Sequence, residues 1–124
     1  MLIKGETKMY KVSKRMEIAG SHQLNLSYES KCENLHGHNW IVTVYVQAET
    51  LDRDGMVIDF THLKQCIHGK LDHAHLNDVV NCNPTAENLA LWIAQEVNLI
   101  RPGASCYKVT VQESEGNVAI WEMD

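Results

Sequence analysis

The chain lacks the apolar run of roughly 18 residues that a membrane-spanning helix needs, so no membrane partner is expected. It also lacks an apolar secretory leader, since Met1-Leu2-Ile3-Lys4-Gly5-Glu6 has none of that character. The default location is therefore the cytoplasm. Cys-x-x-Cys pairs are absent, and Cys32, Cys66, Cys82 and Cys106 are widely spaced. In a reducing compartment they read as separate thiols rather than a disulfide framework. Basic charge is not in excess either. The formal net charge of -5 argues against nucleic acid as the main partner, because phosphate-backbone binding needs a basic surface. Repeats, low-complexity segments and linkers are missing too, so residues 1–124 are read as one domain with a single core.

What is present alternates between strand and helix patterns. Met9 to Ile18 is strand-like and runs up to Gly20-Ser21-His22, while Asn25 to Asn34 is polar and reads as a loop. His38 to Ala48, rich in β-branched and aromatic residues, is the clearest strand. Asp52-Arg53-Asp54-Gly55 is a turn, and Asp59 is placed to cap a helix with Phe60, Leu63, Ile67 and Leu71 at helical spacing. A loop from Asp72 to Pro84 precedes Thr85, the cap of a second helix, with Glu87 in its first turn where the helix dipole favours it. Leu89, Trp92, Ile93, Val97 and Ile100 form that helix's apolar stripe, and Arg101-Pro102-Gly103 ends it. Cys106 to Gln112 and Val118 to Glu122 are strands joined by a hairpin turn at Ser114-Glu115-Gly116-Asn117. The order ββααββ predicts an α+β fold, a four-stranded antiparallel sheet with two helices on one face. Such a small sheet keeps two open edges unless subunits pair them, which favours an oligomer.

The chemistry concentrates around Cys32-Glu33-Asn34-Leu35-His36-Gly37-His38. On a strand His36 and His38 face the same side, about 7 Å apart. Joined by His22 from a neighbouring strand, they can close around one metal ion and leave a fourth position open, as in catalytic zinc sites. Imidazoles suit zinc, though copper, nickel or iron also bind them. That open position makes Cys32 a reacting group; a closed structural site would instead take it as the fourth ligand. Cys66 and Cys106 sit in regular apolar elements and read as structural thiols. Asp72-His73 is either a helix-end turn or a general acid–base pair, a role for which His75 is a competing candidate, while His62 and His68 are expected to face solvent. Glu113 at a strand end is either solvated or a bidentate acceptor for the amidine-like edge of a heterocycle. Lys4, Lys8, Lys11, Lys14 and Arg15 are answered only by Glu6 in the first fifteen residues. They suit either an edge strand protected by lysines or a patch for a small anionic substrate.

Taken together, these segments resemble the 6-pyruvoyl-tetrahydropterin synthase family over nearly the whole chain, to about Glu113. They are Ser21-His22-Gln23-Leu24, Cys32-x-x-x-His36-Gly37-His38-Asn39, Gly55-Met56-Val57-Ile58-Asp59-Phe60, Leu71-Asp72-His73-x-x-Leu76-Asn77 and Pro84-Thr85-x-Glu87-Asn88. The resemblance implies the tunnelling fold, with sheets joined into a barrel in a trimer, two trimers stacked as a homohexamer, and active sites between subunits. It implies zinc on His22, His36 and His38, Cys32 as catalytic base, and Asp72 with His73 as a proton relay from a neighbouring subunit. Glu113 is implied as the pterin anchor, and Thr85 as part of the pterin pocket. The implied substrate is 7,8-dihydroneopterin triphosphate. Three residues separate Cys32 from His36, as in the queuosine-type branch that releases acetaldehyde and triphosphate and leaves 6-carboxy-tetrahydropterin. The pyruvoyl-forming animal branch carries a longer insertion there. Family members often have Arg where this chain has Gln23, and aromatics where it has Met16 and Ile18.

Overall fold

A computed structural model describes residues 8–124; Lys4, Glu6 and the N-terminal segment read for a leader lie outside the described residues. The elements run β1 (Tyr10–His22), a 3-10 turn (Lys31–Glu33), β2 (His36–Ala48), α1 (Phe60–Leu71), β3 (Ala74–His75), α2 (Leu76–Val79), α3 (Ala86–Val97), β4 (Ala104–Ser114) and β5 (Asn117–Glu122). Strand order in the sheet is β3-β1-β2-β4-β5. The four long strands are antiparallel, and the two-residue β3 lies parallel to Gly20 and Ser21 of β1. The α+β arrangement expected from the sequence is present. The structure adds β3 and the single-turn α2 within the segment read as a loop from Asp72 to Pro84. Two residues and one turn are too short to show a period of 2 or 3.6.

Strand alternation builds the core. Met16, Ile18, Trp40, Val42, Val44, Val46, Val109 and Val111 all point to one face and are buried. Met16 pairs with Val42, Ile18 with Trp40, and Val42 with Val111, so these side chains form continuous rows across the sheet. Leu63, Ile67 and Leu71 of α1, with Leu89, Ala90, Ile93 and Val97 of α3, cover those rows. The buried positions of Met16 and Ile18 confirm a core role for both. Phe60 starts the α1 pattern but is exposed, and Trp92 and Ile100 are only partly buried against the core. Both helix caps form as expected: the Asp59 carboxylate accepts the Thr61 N–H at 2.8 Å, and the Thr85 hydroxyl accepts the Asn88 N–H at 3.1 Å. α3 stops at Val97, before Arg101-Pro102-Gly103, and the Asn98 carboxamide oxygen accepts the Cys106 N–H at 2.7 Å, tying the helix end to β4.

Among the described residues, β1 pairs outward only at Gly20 and Ser21, and the outer edge of β5 is unpaired. The cations on β1 lie over aromatic rings, Lys8 over Tyr10, Lys11 over Tyr107 and Lys14 over Phe60. Arg15 pairs with Glu17 at 3.1 Å. This dispersed arrangement matches a protected edge strand better than a convergent anion site.

Candidate metal and active site

The β1–β2 register assembles the histidines. His22 stands directly across from His36, and Gly20 across from His38. Positions 36 and 38 share a strand face, and cross-strand pairing brings His22 to the same face. β2 begins at His36, two residues earlier than the β-branched pattern suggested, so both ligand candidates of the His-Gly-His lie within regular strand. The three ring centroids are 4.4, 4.8 and 5.1 Å apart. Trp40 packs edge-on beneath His22 and His38 at 5.0 and 5.1 Å, its indole N–H donated to the Gly20 carbonyl at 3.1 Å.

Hydrogen bonds determine which nitrogens face inward. His22 Nδ1 is 2.8 Å from the Pro84 carbonyl, and His36 Nδ1 is 2.6 Å from the Asn34 carbonyl. A carbonyl only accepts, so each Nδ1 donates, and in a neutral ring Nε2 then holds the lone pair. Burial lowers the pKa of His22 below the ordinary imidazole value; His36 and His38 push the same way, while the Pro84 carbonyl and Glu113 oppose. The ring is therefore neutral near pH 7. His22 Nε2 and His36 Nε2 nevertheless face each other at 2.9 Å. His38 Nε2 is buried and makes no hydrogen bond among the described residues, although Glu113 Oε1 is 3.0 Å away.

Inward lone pairs at such distances repel unless a cation lies between them. The ligand atoms of His22, His36, His38 and Glu113 lie within 4.8 Å of one another. Three nitrogens and a carboxylate, two of the imidazoles oriented by backbone carbonyls, are donors that could hold a divalent metal. The residues fit a metal.

The fourth member of this group is Glu113 and not Cys32. Cys32 is an exposed thiol in the 3-10 turn. Ser30 caps that turn by accepting the Cys32 N–H at 3.2 Å, and the Cys32 carbonyl accepts the Leu24 N–H at 3.3 Å, holding the turn two residues beyond His22. Cys66 and Cys106 behave as structural thiols: burial raises both pKa values, which keeps them protonated.

Asp72 caps the end of α1, and its Oδ1 accepts the Ala19 N–H at 2.9 Å. Its pKa is lowered chiefly by that N–H, with His68 and His73 adding to the effect. His73 takes a left-handed backbone conformation with φ 55, rare for a residue with a Cβ. This turn puts His73 Nε2 3.4 Å from Asp72 Oδ2 although the two are adjacent in sequence. His68 Nε2 reaches the same oxygen at 3.5 Å and is only partly exposed, contrary to the expectation that it faces solvent. The helical i, i+4 spacing was the signal for that contact. His62 is exposed as expected. Within one chain Asp72 and His73 are not members of the convergent ligand group. His73 does share a cleft of about 450 Å³ with His38, Asn39, Ser21 and His75. There His75 Nδ1 is 3.0 Å from Ser21 Oγ.

Thr85 spends its hydroxyl on the α3 cap, and its neighbours Ala86 and Glu87 line a second cleft of about 340 Å³ together with Glu113. Gln23 and Asn77 exchange two hydrogen bonds, Gln23 N–H to Asn77 Oδ1 at 2.9 Å and Asn77 Nδ2 to Gln23 O at 2.8 Å. The contact between Glu113 and the histidines was hidden from the sequence, because it depends on β4 lying beside β2.

The family model described as 6-pyruvoyl tetrahydropterin synthase matches residues 11–124. A dihydroneopterin monophosphate aldolase of Pyrococcus furiosus is 42% identical over 74 residues, 57% of this chain and 62% of the relative. The human 6-pyruvoyl tetrahydrobiopterin synthase is 33% identical over 133 residues, 90% of each chain. The 6-carboxy-5,6,7,8-tetrahydropterin synthase of Bacillus subtilis is 27% identical over 123 residues, 90% of this chain and 84% of the relative. The solved 6-pyruvoyl tetrahydropterin synthase of Caenorhabditis elegans superposes with a TM-score of 0.74 at 24% identity, covering 95% of this chain and 98% of the other.

Proposed function

The chain belongs to the 6-pyruvoyl tetrahydropterin synthase family, and from that premise we propose a zinc-dependent carbon–carbon lyase. Its substrate in this reading is 7,8-dihydroneopterin triphosphate. With one water consumed, its products are 6-carboxy-5,6,7,8-tetrahydropterin, acetaldehyde and triphosphate, a step of queuosine biosynthesis. The observation that carries the proposal is the convergence of His22, His36 and His38, together with a sequence gap of only three residues between Cys32 and His36. Several relatives named as 6-carboxy-5,6,7,8-tetrahydropterin synthases support it, including those of Bacillus subtilis and a Synechocystis strain.

The protein's groups divide the work by their chemistry. Bound by the three imidazoles, zinc supplies Lewis acidity that favours loss of protons from the substrate's side-chain hydroxyls. Cys32, exposed on its turn, takes a proton as base. His73, paired with Asp72, returns one, and Asp72 is kept ionised by the Ala19 N–H. In this reading Asp72 and His73 act in the neighbouring subunit's site, which suits their separation from the ligand group within one chain. The Glu113 carboxylate accepts two hydrogen bonds from the heterocycle's amidine-like edge and fixes its orientation. Thr85 holds the start of α3, whose first turn lines that cleft. The same reading makes the protein a cytoplasmic homohexamer of two trimers, with the open edges of β1 and β5 paired between subunits in a barrel.

A second reading is pyruvoyl synthesis by loss of triphosphate alone, favoured by the human relative's identity over 90% of each chain. Incubating the zinc-loaded protein with dihydroneopterin triphosphate separates the two. Acetaldehyde released in step with triphosphate is expected; triphosphate with a pyruvoyl product and no acetaldehyde supports the second reading instead.

A further inference from the structure

Glu113 occupies a position that one fixed role does not explain. Its Oε1 is 3.0 Å from His38 Nε2 and 4.0 Å from His22 Nε2, inside the group of inward-facing ligand atoms. The same side chain also lines the 340 Å³ cleft formed by the first turn of α3 and the β4–β5 hairpin. Glu113 therefore stands on the border between the metal group and a space large enough for a bicyclic heterocycle.

The backbone explains this placement. Pairing between β4 and β5 passes from Gln112↔Val118 to Ser114↔Asn117, and the register shift leaves Glu113 without a partner. On the β2 side ordinary alternation sets its direction: Val111 pairs with Val42 and Gln112 with Ile41, so Glu113 continues the face that carries Trp40 and His38. The carboxylate is half-buried, with a side-chain exposure of 29%, and among the described residues no hydrogen bond from a protein donor holds it in place. A carboxylate held only by a cation is free to leave it for a competing pair of donors.

We propose that Glu113 is an exchangeable carboxylate, the fourth metal ligand in the resting protein and the heterocycle's anchor once substrate enters the adjacent cleft. Arrival of the heterocycle draws the carboxylate off the metal group and opens the coordination position that the substrate's side-chain hydroxyls then need. Occupancy of the cleft and opening of the metal site thus become one event. No covalent bond is made or broken. The inference rests on the pterin reading given above for the heterocycle, but not for the resting ligand set.

Cobalt(II) substituted for zinc reports coordination by its visible absorption, independently of turnover. Titrated with cobalt(II), wild-type protein is expected to bind at least tenfold more tightly than Glu113→Gln and to show a different visible spectrum. Equal affinity and identical spectra would overturn the proposal. Bare pterin, which has the heterocyclic edge but no side-chain hydroxyls, is then added and its binding followed separately by its fluorescence. The expected result is a change in the wild-type cobalt spectrum that saturates together with pterin binding. Pterin that binds while the spectrum stays constant would overturn the exchange and leave the pterin reading intact. Absence of pterin binding to wild-type protein would overturn both, even if the first comparison still identified Glu113 as a ligand.

Discussion

The Pro84 carbonyl, by accepting from His22 Nδ1, determines which nitrogen of that ring faces His36 and His38. Small local bonds of this kind set the chemistry of the site. The Asn34 carbonyl does the same for His36, so the inward-facing lone pairs are prepared by backbone atoms. Cys32 has no place in that arrangement, and its substitution tests its role. Cys32→Ala is expected to keep its full metal content by atomic absorption and to lose about 10²-fold or more in turnover, the usual contribution of a general base. A loss of metal would mean that the thiol is a ligand. Asp72 offers a test through pH. Its folded-state pKa is lowered, so its ionised form stabilises the fold above the unfolded value near about 3.9. That contribution disappears as pH falls through the lower folded value. Wild type should therefore exceed Asp72→Asn in denaturant midpoint at pH 6, and the difference should shrink on acidification below about pH 4.

At the scale of elements, capping and register determine which residues meet. Thr85 closes the start of α3 with its hydroxyl, and the Asn88 carboxamide bonds the Asn83 carbonyl at 2.9 Å, so cap and preceding loop are one unit. Replacing Thr85 by Ala should cost about 1 kcal/mol in unfolding free energy. Ser at the same position should recover most of it, since only the oxygen is required; equilibrium denaturation measures both. Sequence patterns located α1, α3 and the long strands because each spans several periods of apolar repeat. β3 and α2 stayed hidden because their conformations come from contact with β1. Gly20 allows that contact: a Cβ there would lie 3.2 Å from the Leu76 side chain of α2.

For the molecule as a whole, the histidine cluster joins parts of the chain that are far apart in sequence. His22 comes from β1, His36 and His38 from β2, Glu113 from β4, and the orienting carbonyl of Pro84 from the segment before α3. A metal held at their meeting point stabilises the folded state by mass action, about 2.7 kcal/mol when free metal is 100 times its dissociation constant. Stripping the metal with a chelator should lower the melting temperature by roughly ten degrees for a domain of this size. Adding zinc back should restore it. An unchanged melting temperature would show that the cluster holds no metal in solution.

The sequence alone determined α1, α3, the long strands and the identity of the reactive side chains, because periodicity and residue chemistry are local properties. It identified His36 and His38 as a pair, since two residues on one strand share a face wherever that strand lies. Which side chains join that pair was decided by tertiary structure. Strand pairing set His22 across from His36, and the register of β4 on β2 put Glu113 on the face of His38. Contacts of that kind depend on which strands become neighbours, and no local pattern records it. His68 was missed for a related reason: its i, i+4 spacing to Asp72 was legible, but its partial burial follows from how α1 packs on the sheet.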